Sequence, residues 1–286
     1  MIKMFASDLD GTLFNLLHQT DDVIRRAVQA ALDQGVRVVP ATGRIAPPSG
    51  EDGFGGLAVD AVCANGSIIR GVEGELLKTY PVDPVFVEDI IRTFPQICFD
   101  CNTPEGILST GTHEQHQAGF KRDSLFRQIL MRGMHASGKM TTMHLYEQPL
   151  SVIQEHEVCK INARIADPDL ERELKAYIAD HSDTVVNAPF NPVIFELTDK
   201  GCNKGESVAW LGRYYGIEED EIAVYGDGGN DIVMLERFRH SYAVANAADA
   251  AKAAASETIG YSALHAVPKH MMRTLLRKQS GRVIIS

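Results

Sequence analysis

The sequence contains no apolar run near the roughly 20 residues that a helix needs to cross a bilayer, so hydropathy offers no membrane-spanning segment. It has no basic excess either. Lys and Arg number 28 against 38 Asp and Glu, leaving a formal charge of -10, and this argues against a nucleic-acid partner because phosphate backbones are met by basic footprints. It lacks a disulfide framework. The five cysteines, at 63, 98, 101, 159 and 202, are odd in number and scattered, which suits a reducing compartment. No signal segment opens the chain, since Asp8 and Asp10 interrupt the first apolar stretch, and a cytoplasmic location is expected. No internal repeat is present. What remains is ordinary globular composition, 44% hydrophobic and 23% charged. Its 286 residues are enough for one large or two moderate domains with real cores.

Three short patterns fail on context. Cys98 and Cys101 form a lone C-x-x-C with no second pair, so ordinary packing is expected rather than zinc or redox chemistry. His113 and His116 in H-E-Q-H read as polar surface histidines. "GFGGLA", residues 53–58, fits G-x-G-x-x-A but follows Pro-Pro-Ser-Gly-Glu-Asp rather than a strand, so it is not a dinucleotide loop.

Periodicity predicts an alternating fold. A strand is expected over residues 2–8, an amphipathic helix over 21–34 closed by Gly35, a second strand in "VRVVPA", a third in "VDAVCA" and a hairpin turning at Gly71 and Gly74. Further along, "KGESVAWLGRYYG" reads as helix, "EIAVYG" as strand, "DIVMLERF" as helix, "SYAVAN" as strand and the Ala-rich 247–257 stretch as helix. This succession predicts an α/β fold, a Rossmann-like parallel sheet with helices on both faces. Between about 83 and 190 the texture changes to antiparallel strand candidates with helices, including one over 113–133 and one capped by Asp167 and Pro168. The expected organisation is a core of residues 1–82 and 191–286 interrupted by an inserted α+β domain of residues 83–190.

Open parallel sheets bind ligands beyond their carboxyl edges. The residues expected there are Asp8 and Asp10 after the first strand, Thr42-Gly43-Arg44 after the second, Asn65-Gly66 after the third, and Gly226-Asp227-Gly228-Gly229-Asn230-Asp231 after a later one, with Lys204 at a helix start. Carboxylates, a hydroxyl, an amide and one lysine converging on one edge are suited to holding a divalent metal and a phosphoryl group together.

"DLDGTL", "ATGR", "NKG" and "GDGGND", in this order, resemble the four motifs of the haloacid dehalogenase superfamily, in particular its Cof-type sugar-phosphate phosphatases with a large α+β cap. The resemblance covers nearly the whole chain. It implies that Asp8 is the nucleophile that becomes an aspartyl phosphate, and that Asp10 protonates the leaving oxygen and then activates water. It further implies Mg2+ on the Asp8 carboxylate, the Asp10 carbonyl and Asp227, with Asp231 steadying that shell. Thr42, Gly43, Lys204 and Asn230 are expected to hold or neutralise the phosphate. The role of Arg44 stays open between a substrate contact and a surface pair. Alternation along a strand would aim Asp8 and Asp10 to one side, with Gly11 opening room between them.

The chain departs from the family's habit after Arg44, where Pro47-Pro48 and four glycines in residues 45–58 argue against a helix. It also lacks the Gly-Val that commonly follows the last strand. Specificity is expected from the cap, with Asn102, Glu105, His113, Lys160 and Asn162 as candidates. The implied partner is a small phosphorylated metabolite, with no nucleic acid and no membrane, and the implied assembly a monomer or homodimer. A phosphomannomutase-like mutase and a non-enzymatic phospho-ligand sensor are the competing readings.

Overall fold

The computed structural model describes residues 1–46, 53–119, 143–189 and 194–282. The chain forms two compact units, Met1–Lys78 with Cys202–Ser286, and Thr79–Gly201. Among the described residues no helix is long and apolar enough to cross a membrane.

The first unit is built on a parallel five-stranded sheet ordered Glu257–Thr258, His240–Ala243, Ile222–Gly226, Met4–Ser7 and Arg37–Pro40. Met4 to Ser7 are all buried, as expected of a central parallel strand covered on both faces. The register aligns Ser7 with both Tyr225 and Pro40. Three strands therefore end together, and Asp8, Asp227 and Thr42 follow at one edge of the sheet. The helix Asp22–Asp33 begins where the Asp21 carboxylate accepts from the Val23 and Ile24 amides, at 3.0 and 3.1 Å. It buries Ile24, Ala27, Val28 and Ala31, a single helical face.

Helix Lys204–Tyr214 is capped by Asn203, whose side chain accepts from Glu206 N at 2.9 Å. That cap sets Lys204 in the first turn, pointing into the protein rather than out of it. Ala61–Cys63, expected as a third strand, pairs antiparallel with Ile68–Arg70 in a separate three-stranded sheet completed by Leu76–Thr79. The turn at Ala64–Gly66 reverses the chain, and a parallel bridge from Ala41 to Val62, with the Asn65 amide donating to the Thr42 carbonyl at 3.0 Å, ties this sheet to the main one.

The second unit is a six-stranded sheet ordered Val185–Asn187, Phe195–Asp199, Lys160–Ala163, Phe99–Asn102, Gly106–Ser109 and Met143–Leu145. Its apolar core joins Phe99, Cys101, Leu108, Ile161, Phe195 and Leu197 to helix residues Phe86, Ile90, Leu174 and Ile178. Helices Pro84–Thr93 and Pro168–Asp180 both start at an aspartate cap followed by proline. Phe195–Asp199, placed in the core by the boundary expected at 190/191, pairs antiparallel with strands on both sides here, so the unit ends at Gly201. Strand pairing decides that boundary, and composition does not report pairing. Of the helix expected over 113–133, His113–Gly119 is present and the remainder lies outside the described residues, as do residues 47–52 of the Pro/Gly-rich loop.

Candidate active site

The first strand stops at Ser7, and residues Leu9–Leu13 wind into a turn in which Gly11 adopts φ 90°. A Cβ at Gly11 would lie 2.5 Å from an Asp227 carboxylate oxygen, so glycine is required both by conformation and by the approach of that side chain. Asp8 is anchored by its amide, which donates to the Tyr225 carbonyl at 2.9 Å. Its carboxylate accepts from Lys204 Nζ at 2.7 Å.

The same ammonium donates to Asp231 at 2.7 Å, and the second Asp231 oxygen accepts from the amides of Asp227 and Gly228, at 2.9 and 3.0 Å. Asp231 is thus saturated and fully buried. It orders the loop that carries Asp227. Thr12 in turn donates to Asp227 at 2.6 Å.

Burial drives the Asp8 carboxyl well above the ordinary carboxylate range; Lys204 opposes this, and Asp231, Asp227 and Asp10 add to it. Asp227 is pushed up to about 6 by burial and by the neighbouring carboxylates, against the Thr12 hydrogen bond and Lys204. Burial opposes the charge of Lys204, but Asp231 and Asp8 outweigh it and raise its pKa. Oxygens of Asp8, Asp227 and Asp231 lie within 4.8 Å of one another. One lysine against this many carboxylates leaves excess negative charge, and an all-oxygen donor set of this kind fits a hard divalent cation such as Mg2+.

Asp10 sits in a different environment. Arg44 grips it with two hydrogen bonds, Nε at 2.9 Å and Nη2 at 2.6 Å, and His18 Nδ1 lies 2.7 Å from the same carboxylate. Burial alone would raise its pKa, but these partners hold it well below the usual range. The turn begun at Leu9 ends the strand before alternation can relate the two side chains, and the two carboxyls are biased in opposite directions. In this structure the anion paired with Arg44 is Asp10. His18, at φ 56°, carried no sequence signal of its own.

Thr42 is buried, and its hydroxyl accepts from the Arg44 amide at 3.2 Å. Gly43 lies between them in the same turn. Asn230 donates to Asn65 Oδ1 at 3.0 Å. The Asn65 Nδ2 donor is buried with no hydrogen-bond partner, at a left-handed residue with φ 59°. An orphaned amide beside Asn230 makes Asn65, picked out in the sequence for its place at a strand end, a candidate ligand-binding residue.

The cap candidates are divided: Asn102 and Lys160 meet across paired strands, while Glu105 and His113 have other partners. Lys160 is spent on Glu196, 2.6 Å away with both side chains buried, and Asn102 donates to the Lys160 carbonyl at 3.1 Å. Glu105 lies 3.7 Å from His156, and the His113 ring packs edge-on against Tyr146. Asn162 Oδ1 is buried without a partner. His116, expected at the surface, is instead mostly buried and contacts Asp100 at 3.0 Å. Strand alternation separates the C-x-x-C pair, with Cys101 in the apolar core and Cys98 beside Asp100 and His116.

The chain matches the haloacid dehalogenase-like hydrolase family over residues 5–271. It is 24% identical to "Phosphatase YwpJ" of Bacillus subtilis (strain 168) over 294 residues, covering 96% of this chain and 100% of that protein. It is 25% identical over 281 residues to "Endoribonuclease YBEY, chloroplastic" of Arabidopsis thaliana, covering 89% of this chain but spanning only 43% of that longer protein. A solved haloacid dehalogenase-like hydrolase from B. subtilis superposes with a TM-score of 0.79 at 22% identity, covering 95% of this chain and 99% of that one. With the family match running from the first strand into the last helix, the chain belongs to the haloacid dehalogenase-like hydrolases.

Proposed function

We propose that the chain, a phosphatase of small phosphorylated substrates, hydrolyses phosphomonoesters, with sugar phosphates as the preferred class, through an aspartyl phosphate on Asp8 and with Mg2+ as cofactor. The observation that carries this reading is the buried Lys204 bridging Asp8 and Asp231 at 2.7 Å each, with Asp227 alongside. Such a set is costly to bury, and balancing charge during a reaction accounts for it.

Asp8, the Asp10 carbonyl and Asp227 would hold the Mg2+, and Asp231 would steady them. When bound, the cation would screen a repulsion between carboxylate and phosphate dianion that amounts to a few kcal/mol even at an effective dielectric of about 20. An Asp8 oxygen attacks phosphorus as the bond to the leaving oxygen breaks, and Asp10 gives that oxygen its proton. Water then attacks the aspartyl phosphate, Asp10 takes its proton, and the bond to Asp8 breaks to release inorganic phosphate. Thr42, the Gly43 amide, Asn65 and Asn230 donate to phosphate oxygens, and Lys204 neutralises charge at Asp8.

Asp10 can carry a proton only after Arg44 and His18 release it. An arriving phosphate offers Arg44 a second anion, which supports a substrate-dependent release. The net charge of -10 supports a small metabolite over a nucleic acid as partner. The test is released phosphate from a panel of sugar and other phosphomonoesters with Mg2+. Turnover should vanish with EDTA and in Asp8→Asn; undiminished turnover in either case would overturn the reading.

A further inference from the structure

The second unit contains a cluster that the phosphatase site does not use. Cys98 and Asp100 are two residues apart and emerge on the same side of the strand Phe99–Asn102, opposite to Cys101. The helix His113–Gly119 starts at a reciprocal cap: Gln115 N donates to Thr112 Oγ1 at 3.1 Å, and Thr112 N to Gln115 Oε1 at 2.8 Å. This cap turns His116 inward, its Nδ1 3.0 Å from Asp100 Oδ2. One donor atom each from Cys98, Asp100 and His116 lies within 4.8 Å of the other two. A fourth is at hand, His144 Nε2, 3.8 Å from Asp100 Oδ1, with its ring set edge-on to His116 at 5.1 Å.

We propose that Cys98, Asp100, His116 and His144 form a binding site for a divalent ion of the zinc class, separate from the Mg2+ site. One thiolate, two imidazoles and a carboxylate make a borderline-soft set that favours such an ion over Mg2+. Tetrahedral zinc places its donors roughly 3.3–3.7 Å apart; Cys98, Asp100 and His116 already lie within 4.8 Å of one another, and His144, 3.8 Å from Asp100, would turn in to complete the set.

The surroundings are those of a supported ligand set. Ser109 donates to Asp100, and its oxygen lies 2.7 Å from His144 Nε2, a contact that the ion would replace. The Tyr146 hydroxyl lies 3.2 Å from the other His144 nitrogen and its ring stacks on that imidazole, so one nitrogen is fixed toward Asp100. A cleft of about 240 Å3 lined by Gln115, Gly119 and Arg164 reaches Cys98 and gives an entry path.

The experiment is a Co2+ titration of the full chain in excess Mg2+, read by the near-ultraviolet thiolate-to-cobalt absorption. One equivalent should bind with that band, Zn2+ should displace it and added Mg2+ should not. Cys98→Ser and His116→Gln should each abolish it, Cys101→Ala should keep it, and Ser109→Ala should weaken the Zn2+ competition about 10- to 100-fold. No band, a band that survives Cys98→Ser, or a band lost in Asp8→Asn would each overturn the proposal.

Discussion

Lys204 Nζ lies 2.7 Å from Asp8 Oδ1, and the lysine side chain that makes this contact has no exposed surface. A buried ammonium can be kept charged only by its anions, and Asp8 and Asp231 supply them. Removing the lysine leaves two carboxylates without their counter-charge. Lys204→Met should therefore cost about 3–5 kcal/mol of stability at neutral pH without Mg2+, recover in part as acid protonates Asp8, and lose turnover. Urea unfolding at several pH values measures this. A loss below about 1 kcal/mol, the range of an exposed pair, would show that the lysine is not what balances the site.

Asp227 gives a stability profile with a definite sign. Its folded pKa of about 6 stands above the ordinary 3.8, so the folded protein binds more protons than the unfolded chain in that window. Without metal, this contribution to stability is complete below the ordinary value and is lost as pH rises through about 6. Asp8, shifted in the same direction, adds to the slope. Stabilisation by Mg2+ should grow over the same rise, because the cation takes ionised carboxylates. Melting temperatures in EDTA between about pH 4 and 7 should decline more gently for Asp227→Asn. Identical slopes for wild type and variant would reject the assignment.

Asp10 is biased the other way, and its partners can be removed singly. In His18→Ala its carboxyl should titrate higher than in wild type, and in Arg44→Ala higher still, since Arg44 supplies two of the hydrogen bonds. Carbon-detected magnetic resonance of the Asp10 carboxyl follows this directly. A titration unchanged in both variants would mean that other groups hold the proton off.

The orphaned Asn65 amide predicts a phosphate contact. Asn65→Gly removes the amide and still accepts φ 59°. Losing one charge-assisted hydrogen bond worth about 1.5 kcal/mol corresponds to about a tenfold rise in KM, with protection by inorganic phosphate weakened equally. An unaltered KM would remove Asn65 from the phosphate site.

Much of this site was legible because its parts sit where strands end, and strand ends are marked by apolar runs giving way to Asp, Thr or Gly. "DLDGT", "ATGR" and "GDGGND" are such transitions, and the register that aligns Ser7, Pro40 and Tyr225 brings them to one edge. Arg44 and His18 were less legible. Their partner is Asp10, and a pairing across 34 residues, or across a turn that begins at Leu9, leaves no periodic trace. The pairing of Phe195–Asp199 and the inward turn of His116 likewise depend on neighbours distant in sequence. Cys98 and Cys101, expected as ordinary packing rather than a functional pair, are separated by the strand's alternation, which puts Cys101 in the apolar core.

The two aspartates of the opening motif should separate in their chemistry. Asp8→Asn should abolish both the covalent intermediate and turnover, because an amide is a poor nucleophile and lacks the charge that a cation requires. Asp10→Asn leaves Asp8 intact, and an activated aryl phosphate departs without needing a proton, so phosphorylation of Asp8 can still proceed. Water attack on the aspartyl phosphate then lacks its base. That variant should release a burst of about one aryl group per site, turn over slowly afterwards and retain an acid-stable phosphoryl label, whereas a sugar phosphate, whose leaving oxygen needs the proton, should give no burst. Asp10→Asn also frees Arg44 and His18 from their anion, so substrate binding should be kept or tightened while turnover falls. Wild-type rates on both substrates in Asp10→Asn, or a phosphoenzyme in Asp8→Asn, would mean that the nucleophile and the proton carrier have been assigned to the wrong residues.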